Sequence, residues 1–333
     1  MKLDLIIPHY KEPWSVCEYL FKTISTQRGV PFESVRAIVV NDGDCLLDNP
    51  TDSEKLSSMF PYPVTYLAKE HGGVSAARNY GLDHSGADYV MFCDIDDGFL
   101  SNYALHLIFA AMQEGPDLIS ANFVEETFTA ERQMTIVTHN RDLTFMHGKV
   151  YRRQFLLDNN LRFDETMTIH EDGYFNNVVF AEIAHHGTVK YIETPLYLWR
   201  WNDNSVVRKD RKDFVLKTYK DVVKARIGLC NQLRVRGYED DFRTAVCMTV
   251  LNSYYDFQKT SYTAPENASY ARRAESEFKK FWVLYKNVFM DFTNQQIAEI
   301  ARVARENAYK NGMLYEQTDL RTWLRHIDRE VKG

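Results

Sequence analysis

The run Cys93-Asp94-Ile95-Asp96-Asp97 sets three carboxylates within four positions, directly after the apolar stretch Asp88-Tyr89-Val90-Met91-Phe92. Carboxylates crowded at the end of a buried strand repel one another and resist desolvation, so the fold needs a cation or a bound ligand to offset the cost. Ligands that are all oxygen suit Mg²⁺ or Mn²⁺, ions that pair one or two carboxylates with the phosphates of a substrate. A second acidic pair, Glu171-Asp172, stands far along the chain in Ile169-His170-Glu171-Asp172-Gly173-Tyr174.

The elements that hold these groups read as an α/β alternation. Leu3-Asp4-Leu5-Ile6-Ile7 ends at Pro8-His9-Tyr10, and Val35-Arg36-Ala37-Ile38-Val39-Val40 ends at Asn41-Asp42-Gly43. Such apolar runs predict strands buried on both faces. Apolar residues at helical spacing predict helices over Pro13 to Gln27, Val74 to His84 and Leu100 to Gln113. Parallel sheets bind ligands beyond the carboxyl ends of their strands, which is where Pro8, Asp42 and Asp94 to Asp97 fall. Gly72 and Gly73 precede the helix that bears Arg78, and free amides at a helix N-terminus suit an anionic group. Arg78 either meets a diphosphate or pairs with an acidic side chain. No Gly-Lys-Ser/Thr follows the glycines and no GxGxxG follows the first strand, which leaves ATP hydrolysis and nicotinamide chemistry unsupported.

In order, these motifs (Pro-x-Tyr, strand plus Asp-Gly, Glu70 to Asn79, Asp-x-Asp-Asp, Glu-Asp) resemble those of family 2 glycosyltransferases over about residues 1 to 205. The resemblance implies a GT-A fold, a Rossmann-like mixed sheet with helices on both faces, and sugar transfer from a nucleotide diphosphate donor to a hydroxyl with inversion. It implies Asp172 as general base with Glu171 orienting or contacting the acceptor. Asp96 is then the metal ligand, and Asp94 meets the ribose or reaches the metal through water. Asp97 supports the metal or the sugar, or serves as a carboxylate at a helix N-terminus. Pro8, Tyr10, Glu12, Asp42, Gly73 and Arg78 complete the donor site, Tyr10 by stacking on the base and Asp42 by accepting its imide N–H. Uracil offers such a donor and guanine a related pair, so UDP is favoured without excluding GDP. The closing segment Tyr197 to Ser205 resembles the family's Tyr-Arg-x-His-x-x-Ser, with Asn202 where a histidine is frequent. Asn202 therefore contacts phosphate, or the ion is held without it. Trp199 and Trp201 read equally as an acceptor platform or as packing.

The rest of the chain differs in kind. Residues 1 to 205 carry roughly 16 basic and 29 acidic side chains, about −13, and residues 206 to 333 roughly 24 and 17, about +7, which together give the net −6. Helical patterns run over Phe214 to Leu233, Phe242 to Phe257, Phe278 to Phe289, Ile297 to Tyr309 and Leu320 to Val331, with a loop at Tyr262 to Asn267. This predicts a catalytic domain over 1–205 and an all-α domain over 206–333. The five cysteines (17, 45, 93, 230 and 247) lack CxxC spacing and read as reduced thiols. With no apolar run of about 18 residues and a charged N-terminal strand, the chain reads as cytoplasmic or peripheral to a membrane, not embedded in one.

Glycan, lipid-linked glycan and protein acceptors all suit the reading, as does a homo-oligomer formed through the helical part. Nucleic acid does not, because the basic residues lack aromatic interleaving. Two other functions compete. A sugar-phosphate nucleotidyltransferase would share the nucleotide-binding layout but would carry a Gly-rich phosphate loop near the first strand, and Pro8 to Trp14 has no glycine. A non-catalytic glycan-binding or scaffold protein has no need to keep both Asp96 and Asp172.

Overall fold

The computed structural model describes residues 1–43, 57–129, 131–203, 213–310 and 312–332. The chain divides into two compact units, Met1–Asp203 and Asn204–Gly333.

The first unit is built on one mixed sheet. Four parallel strands, β3 (Val64–Lys69), β2 (Val35–Asp42), β1 (Leu3–His9) and β4 (Tyr89–Phe92), lie side by side in that order. Beyond β4 the sheet continues through β8 (Lys149–Arg152), β6 (Leu118–Phe128), β9 (Val189–Trp199) and β5 (Gly98–Phe99), and β7 (Met134–His139) pairs with β6 outside this path. β8 runs antiparallel to both β4 and β6, and this reversal makes the sheet mixed. Apolar runs in β1, β2 and β4 bury on both faces as predicted, with Leu5, Ile6, Ile7, Val39, Val90 and Met91 fully enclosed. Pro8 is tolerated in a central strand because β4 pairs with β1 only as far as Ile6.

Helices α1 (Trp14–Ser25), α2 (Val74–Asp83), α3 (Ala104–Met112), α4 (Arg153–Asp158) and α5 (Glu171–His186) accompany the strands. On α1, Cys17, Leu20, Phe21 and Ile24 bury at the predicted spacing. α3 starts at Ala104, not Leu100, because Gly98 and Phe99 extend as β5 against Leu198 and Tyr197. A tertiary strand pairing has there overridden a helical pattern.

The second unit is helical throughout its described secondary structure. α6 (Phe214–Lys217) breaks at Thr218 before α7 (Tyr219–Val235), where the sequence predicts one helix. α8 (Glu239–Asp256) leads to the predicted loop, which contains one helical turn, α9 (Thr260–Thr263), and a 3₁₀ turn at Pro265–Asn267. α10 (Ala268–Met290), α11 (Asn294–Lys310) and α12 (Leu320–Lys332) follow. Phe278, Phe281, Trp282 and Trp323 form the aromatic core, and the indole N–H of Trp282 is satisfied by Asp328 at 2.8 Å. Among the described residues no helix is long and apolar enough to cross a membrane. Cys17, Cys93, Cys230 and Cys247 are free and buried, and Cys45 lies outside the described residues.

Gly148 turns the chain into β8 at φ +71°, and a Cβ there would stand 2.6 Å from the carbonyl oxygen of Ala121. The left-handed backbone and the clash with a strand atom add together. Gly148→Ala should therefore lower unfolding free energy by about 2 kcal/mol or more, read as a fall in the urea midpoint. A midpoint unchanged from wild type would show that the strand end yields freely.

Candidate active site

The carboxyl ends of β1, β2 and β4 converge with the first turn of α5, and Arg78 on α2 stands between them. Its side chain is only 3% exposed. Nη2 donates to Asp94 Oδ1 at 3.0 Å, while Nη1 donates to Glu171 Oε1 at 3.0 Å and to Asp172 Oδ1 at 2.6 Å. The guanidinium carbon lies 5.2 Å from the ring centre of Phe163, and Nε is buried with no hydrogen-bond partner among the described residues. Of the two roles open to Arg78 in the sequence, the structure displays the acidic pairing.

One guanidinium cannot neutralise three carboxylates. Burial alone would raise Asp94, but Arg78 and His147 outweigh it and hold that carboxylate below its ordinary range. Asp172 is moved the other way. Burial raises it well above the carboxylate range, and the charges of Glu171 and Asp94 add to the shift against the pull of Arg78. A carboxylate so raised lies nearer neutrality, where a general base is most effective.

The Asp-x-Asp-Asp turn follows β4. Asp94 and Asp96 are half-buried, and Asp97 is enclosed. Asp96 Oδ2 accepts from the amide of Asn202 at 2.8 Å, and burial together with the charge of Asp94 raises its pKa. Asp97 Oδ1 accepts from the backbone N–H of Arg200 at 3.0 Å. Its Oδ2 has no hydrogen-bond partner among the described residues, and His147 Nδ1 stands 3.6 Å away. Burial followed by the charges of Asp96 and Asp94 raises Asp97 well above its usual range, while burial pushes His147 down to about 4. Asp94, Asp97 and His147 each present a ligand atom within 4.8 Å of the others, a donor set fit for a cation. Asp96 is outside that set. Arg200 also donates to the carbonyl of Asp96 at 3.2 Å, and its guanidinium sits 3.9 Å over the Tyr19 ring.

At the end of β2, Asp42 is 2% exposed and gathers the next loop around itself. Oδ1 accepts from Lys69 Nζ at 2.7 Å and Gly72 N at 2.9 Å, and Oδ2 from Gly73 N at 2.7 Å with His71 Nδ1 at 2.9 Å. Burial opposes ionisation, but Lys69 and the two amides prevail and hold Asp42 below its usual pKa. The Gly72 and Gly73 amides are thus engaged with Asp42. Gly73 caps α2 at φ +89°, a conformation natural to glycine. His71 stacks on Tyr10 with ring centres 4.4 Å apart and planes 20° apart. Glu12 Oε2 accepts from Tyr10 N at 2.7 Å, and burial raises its pKa with a contribution from Asp96.

Glu171 and Asp172 open α5 behind His170, a non-glycine residue at φ +62°. Beside them runs the turn at 142–146, held by two enclosed side chains. Lys149 donates to the carbonyl of Phe145 and lies 3.7 Å from Asp142, and Asn176 Nδ2 donates to the carbonyls of Thr144 at 2.7 Å and Phe145 at 3.0 Å. A Cβ on Gly173 would meet Thr144 Cγ2 at 3.3 Å, so the turn lies against the helix that carries Glu171 and Asp172. Burial lowers Lys149 to about 8 against the attraction of Asp142 and Asp172.

The structure therefore brings Asp94, Arg78, Glu171 and Asp172 into one bonded cluster, Asp96 and Asn202 into another, and Asp42, Gly73, Tyr10 and Glu12 around the ends of β1 and β2. Trp199 packs against His147 at 4.9 Å and Phe145 at 5.2 Å, and Trp201 meets Phe128 edge-on at 4.6 Å. The sequence gives no role to His71, His147 or Arg200, while the segment Gly148 to Arg153 resembles one that in the family precedes the acceptor-site helix, with its basic residues, Lys149 among them, read as mainly structural. Asn204 and Ser205 of the closing segment lie outside the described residues.

The model of the family described as "Glycosyl transferase family 2" matches residues 4–173, just over half of the chain. The minor teichoic acid biosynthesis protein GgaB of Bacillus subtilis (strain 168) is 27% identical over 210 residues, 56% of this chain. This chain spans only 22% of GgaB's length. The uncharacterized glycosyltransferase EpsJ of the same organism is 24% identical over 268 residues, 74% of each chain. Among solved structures, S. aureus TarS 1–349 superposes with a TM-score of 0.61 at 14% identity, covering 95% of this chain and 93% of that one. TarS 1–349 has also been solved with UDP-GlcNAc, matching at 0.59 and 16% identity over the same shares. These likenesses show the GT-A fold, with a helical region after it. With the family model extending from β1 through the Glu-Asp turn of α5, the chain belongs to glycosyl transferase family 2.

Proposed function

We propose that this glycosyltransferase moves a sugar from a nucleotide diphosphate donor, a UDP-sugar by preference, to an acceptor hydroxyl with inversion. The observation that carries the reading is the double engagement of Arg78, which ties Asp94 of the donor-side turn to Asp172 across one buried guanidinium. Base and donor groups are thereby fixed relative to each other before substrate arrives. Asp172 takes the acceptor's proton as the hydroxyl attacks the anomeric carbon, and Glu171 on the same guanidinium orients it. The UDP-GlcNAc complex of TarS supports a UDP donor, while a mannosyltransferase of Pyrobaculum calidifontis solved with GDP-Man and Mn²⁺ (TM-score 0.50, 14% identity) keeps GDP in view.

The donor set suits a divalent cation, as its uncompensated carboxylates and the unpartnered Oδ2 of Asp97 indicate. Asp94 belongs to two possible ligand sets, one with half-buried Asp96 and one with enclosed Asp97 and His147. A donor's phosphates must reach the ion, so we assign it to Asp94 and Asp96, backed by Asp97 and His147, with Mn²⁺ or Mg²⁺ as the ion. When bound, such an ion neutralises charge that builds on the departing diphosphate. Asn202, bonded to Asp96, keeps that carboxylate turned toward the donor. The acceptor is a glycan, a lipid-linked glycan or a protein, and the similarity to GgaB, a minor teichoic acid biosynthesis protein, adds teichoic acid.

Three outcomes test this. Asp96→Asn should lose Mn²⁺-stimulated UDP binding by on the order of tenfold or more, measured by calorimetry with and without the ion. Loss in His147→Gln while Asp96→Asn binds normally would move the ion to the enclosed side. Asp172→Asn should cut turnover on the order of 10²-fold or more with UDP affinity nearly unchanged, in an assay of UDP release from a UDP-sugar panel. Wild-type turnover there would make Glu171 the base. Finally, because Asp172 must be ionised to act and its pKa is raised, kcat/KM should fall with decreasing pH along a limb above the ordinary carboxylate range. Arg78→Gln removes the cation bonded to Asp172, so its limb should move to still higher pH, and a limb that stays in place would refute the coupling.

A further inference from the structure

The nucleobase of the donor needs an aromatic or apolar face, and Tyr10 offers less of one than its position suggests. One face of its ring is covered by His71 at 4.4 Å between centres, and Lys11 Nζ lies 4.7 Å from the same ring. The imidazole that covers Tyr10 is itself held from two directions. The phenol ring stacks beneath it, and Nδ1 lies within hydrogen-bond distance of both Asp42 Oδ2 (2.9 Å) and the Asp42 carbonyl (3.1 Å). Asp42 in turn fixes the loop on either side of the ring's attachment through Lys69, Gly72 and Gly73. Despite these restraints the His71 side chain remains 57% exposed. It borders one end of an open cavity of about 420 Å³ that continues along α2 past Ala76, Asn79 and Tyr80 to Asp83 and Glu165, a volume within the range of ligand pockets. A ring fixed at one face and one edge, with its other face open at the carboxyl end of a parallel sheet, is a prepared stacking surface.

We propose that His71 is the platform on which the donor's nucleobase stacks, with Tyr10 as the backing ring and Asp42 as the anchor that keeps the imidazole flat against it. The inference rests on the reading of the chain as dependent on a nucleotide-sugar. Stacking is indifferent to base identity, because every base has a π-face. His71 therefore sets the strength of nucleotide binding, while choice between uracil and guanine falls to polar groups at the rim of the base.

Calorimetric binding of UDP and GDP, and of the nucleoside belonging to the tighter of the two, to the full chain decides the matter. His71→Ala and His71→Asn should weaken the nucleotide and its nucleoside by the same factor, at least about fivefold, because the lost contact is to the base. His71→Phe, which keeps a ring but no hydrogen bond to Asp42, should bind within about twofold of wild type. Unchanged binding in His71→Ala would overturn the platform, as would retention in His71→Asn with loss in His71→Phe, which would assign His71 to loop anchoring. Absence of UDP and GDP binding in the wild type would bring down the nucleotide-sugar reading and this inference together. The variant results bear on His71 alone.

Discussion

A single buried cation facing three carboxylates is the constraint around which the catalytic unit is arranged. Arg78 can stay buried only while Asp94, Glu171 and Asp172 surround it, and those carboxylates tolerate their own desolvation only while it is present. They come from segments far apart in sequence, the turn after β4 and the first turn of α5. The pairing therefore acts as a bolt between the turn after β4 and α5. It also leaves an excess of negative charge, so the four groups are differently poised. Asp94 ends below its ordinary range, and Asp172 retains a raised affinity for a proton.

A similar logic operates at β2. Asp42 is buried with a lysine, two glycine amides and an imidazole as partners, and it turns a glycine-rich loop into a fixed element. Behind the turn at 94–97, His147 is packed among Phe145, Tyr197 and Trp199, and burial lowers its pKa to about 4. In each place a polar residue that looks able to bind substrate is committed first to shaping the chain that does so.

The strands and the first helices were legible in the sequence because their apolar runs are long and their periods distinct. The turn at 94–97 could be read because three carboxylates after a buried strand have few innocent explanations. Partnership was not legible. Nothing in the spacing of Arg78, sixteen positions before Asp94 and more than ninety before Glu171, tells a phosphate contact from a salt bridge, since both need the same guanidinium. His147 was hidden for another reason: its place depends on how β8 reverses between β4 and β6, and that is a matter of topology. The helices of the second unit were found in place with ends displaced by a few residues, as at Glu239, save that α10 begins at Ala268, ten positions before the predicted Phe278, because polar residues in the first turns carry no clear period. The break at Thr218 lies within a continuous apolar pattern and left no mark.

The clamp on the turn at 142–146 has a consequence for how new specificities arise. Lys149 and Asn176 hold two consecutive carbonyls from beneath, so the ordering entropy of this turn is lost when the protein folds and not when a substrate arrives. Leu143 at its tip is nearly half exposed, and neither buried anchor uses its side chain. Tip residues can therefore be exchanged over many generations with the backbone beneath them unmoved. The rim beside Asp172 is free to diversify while the position of that carboxylate is inherited intact.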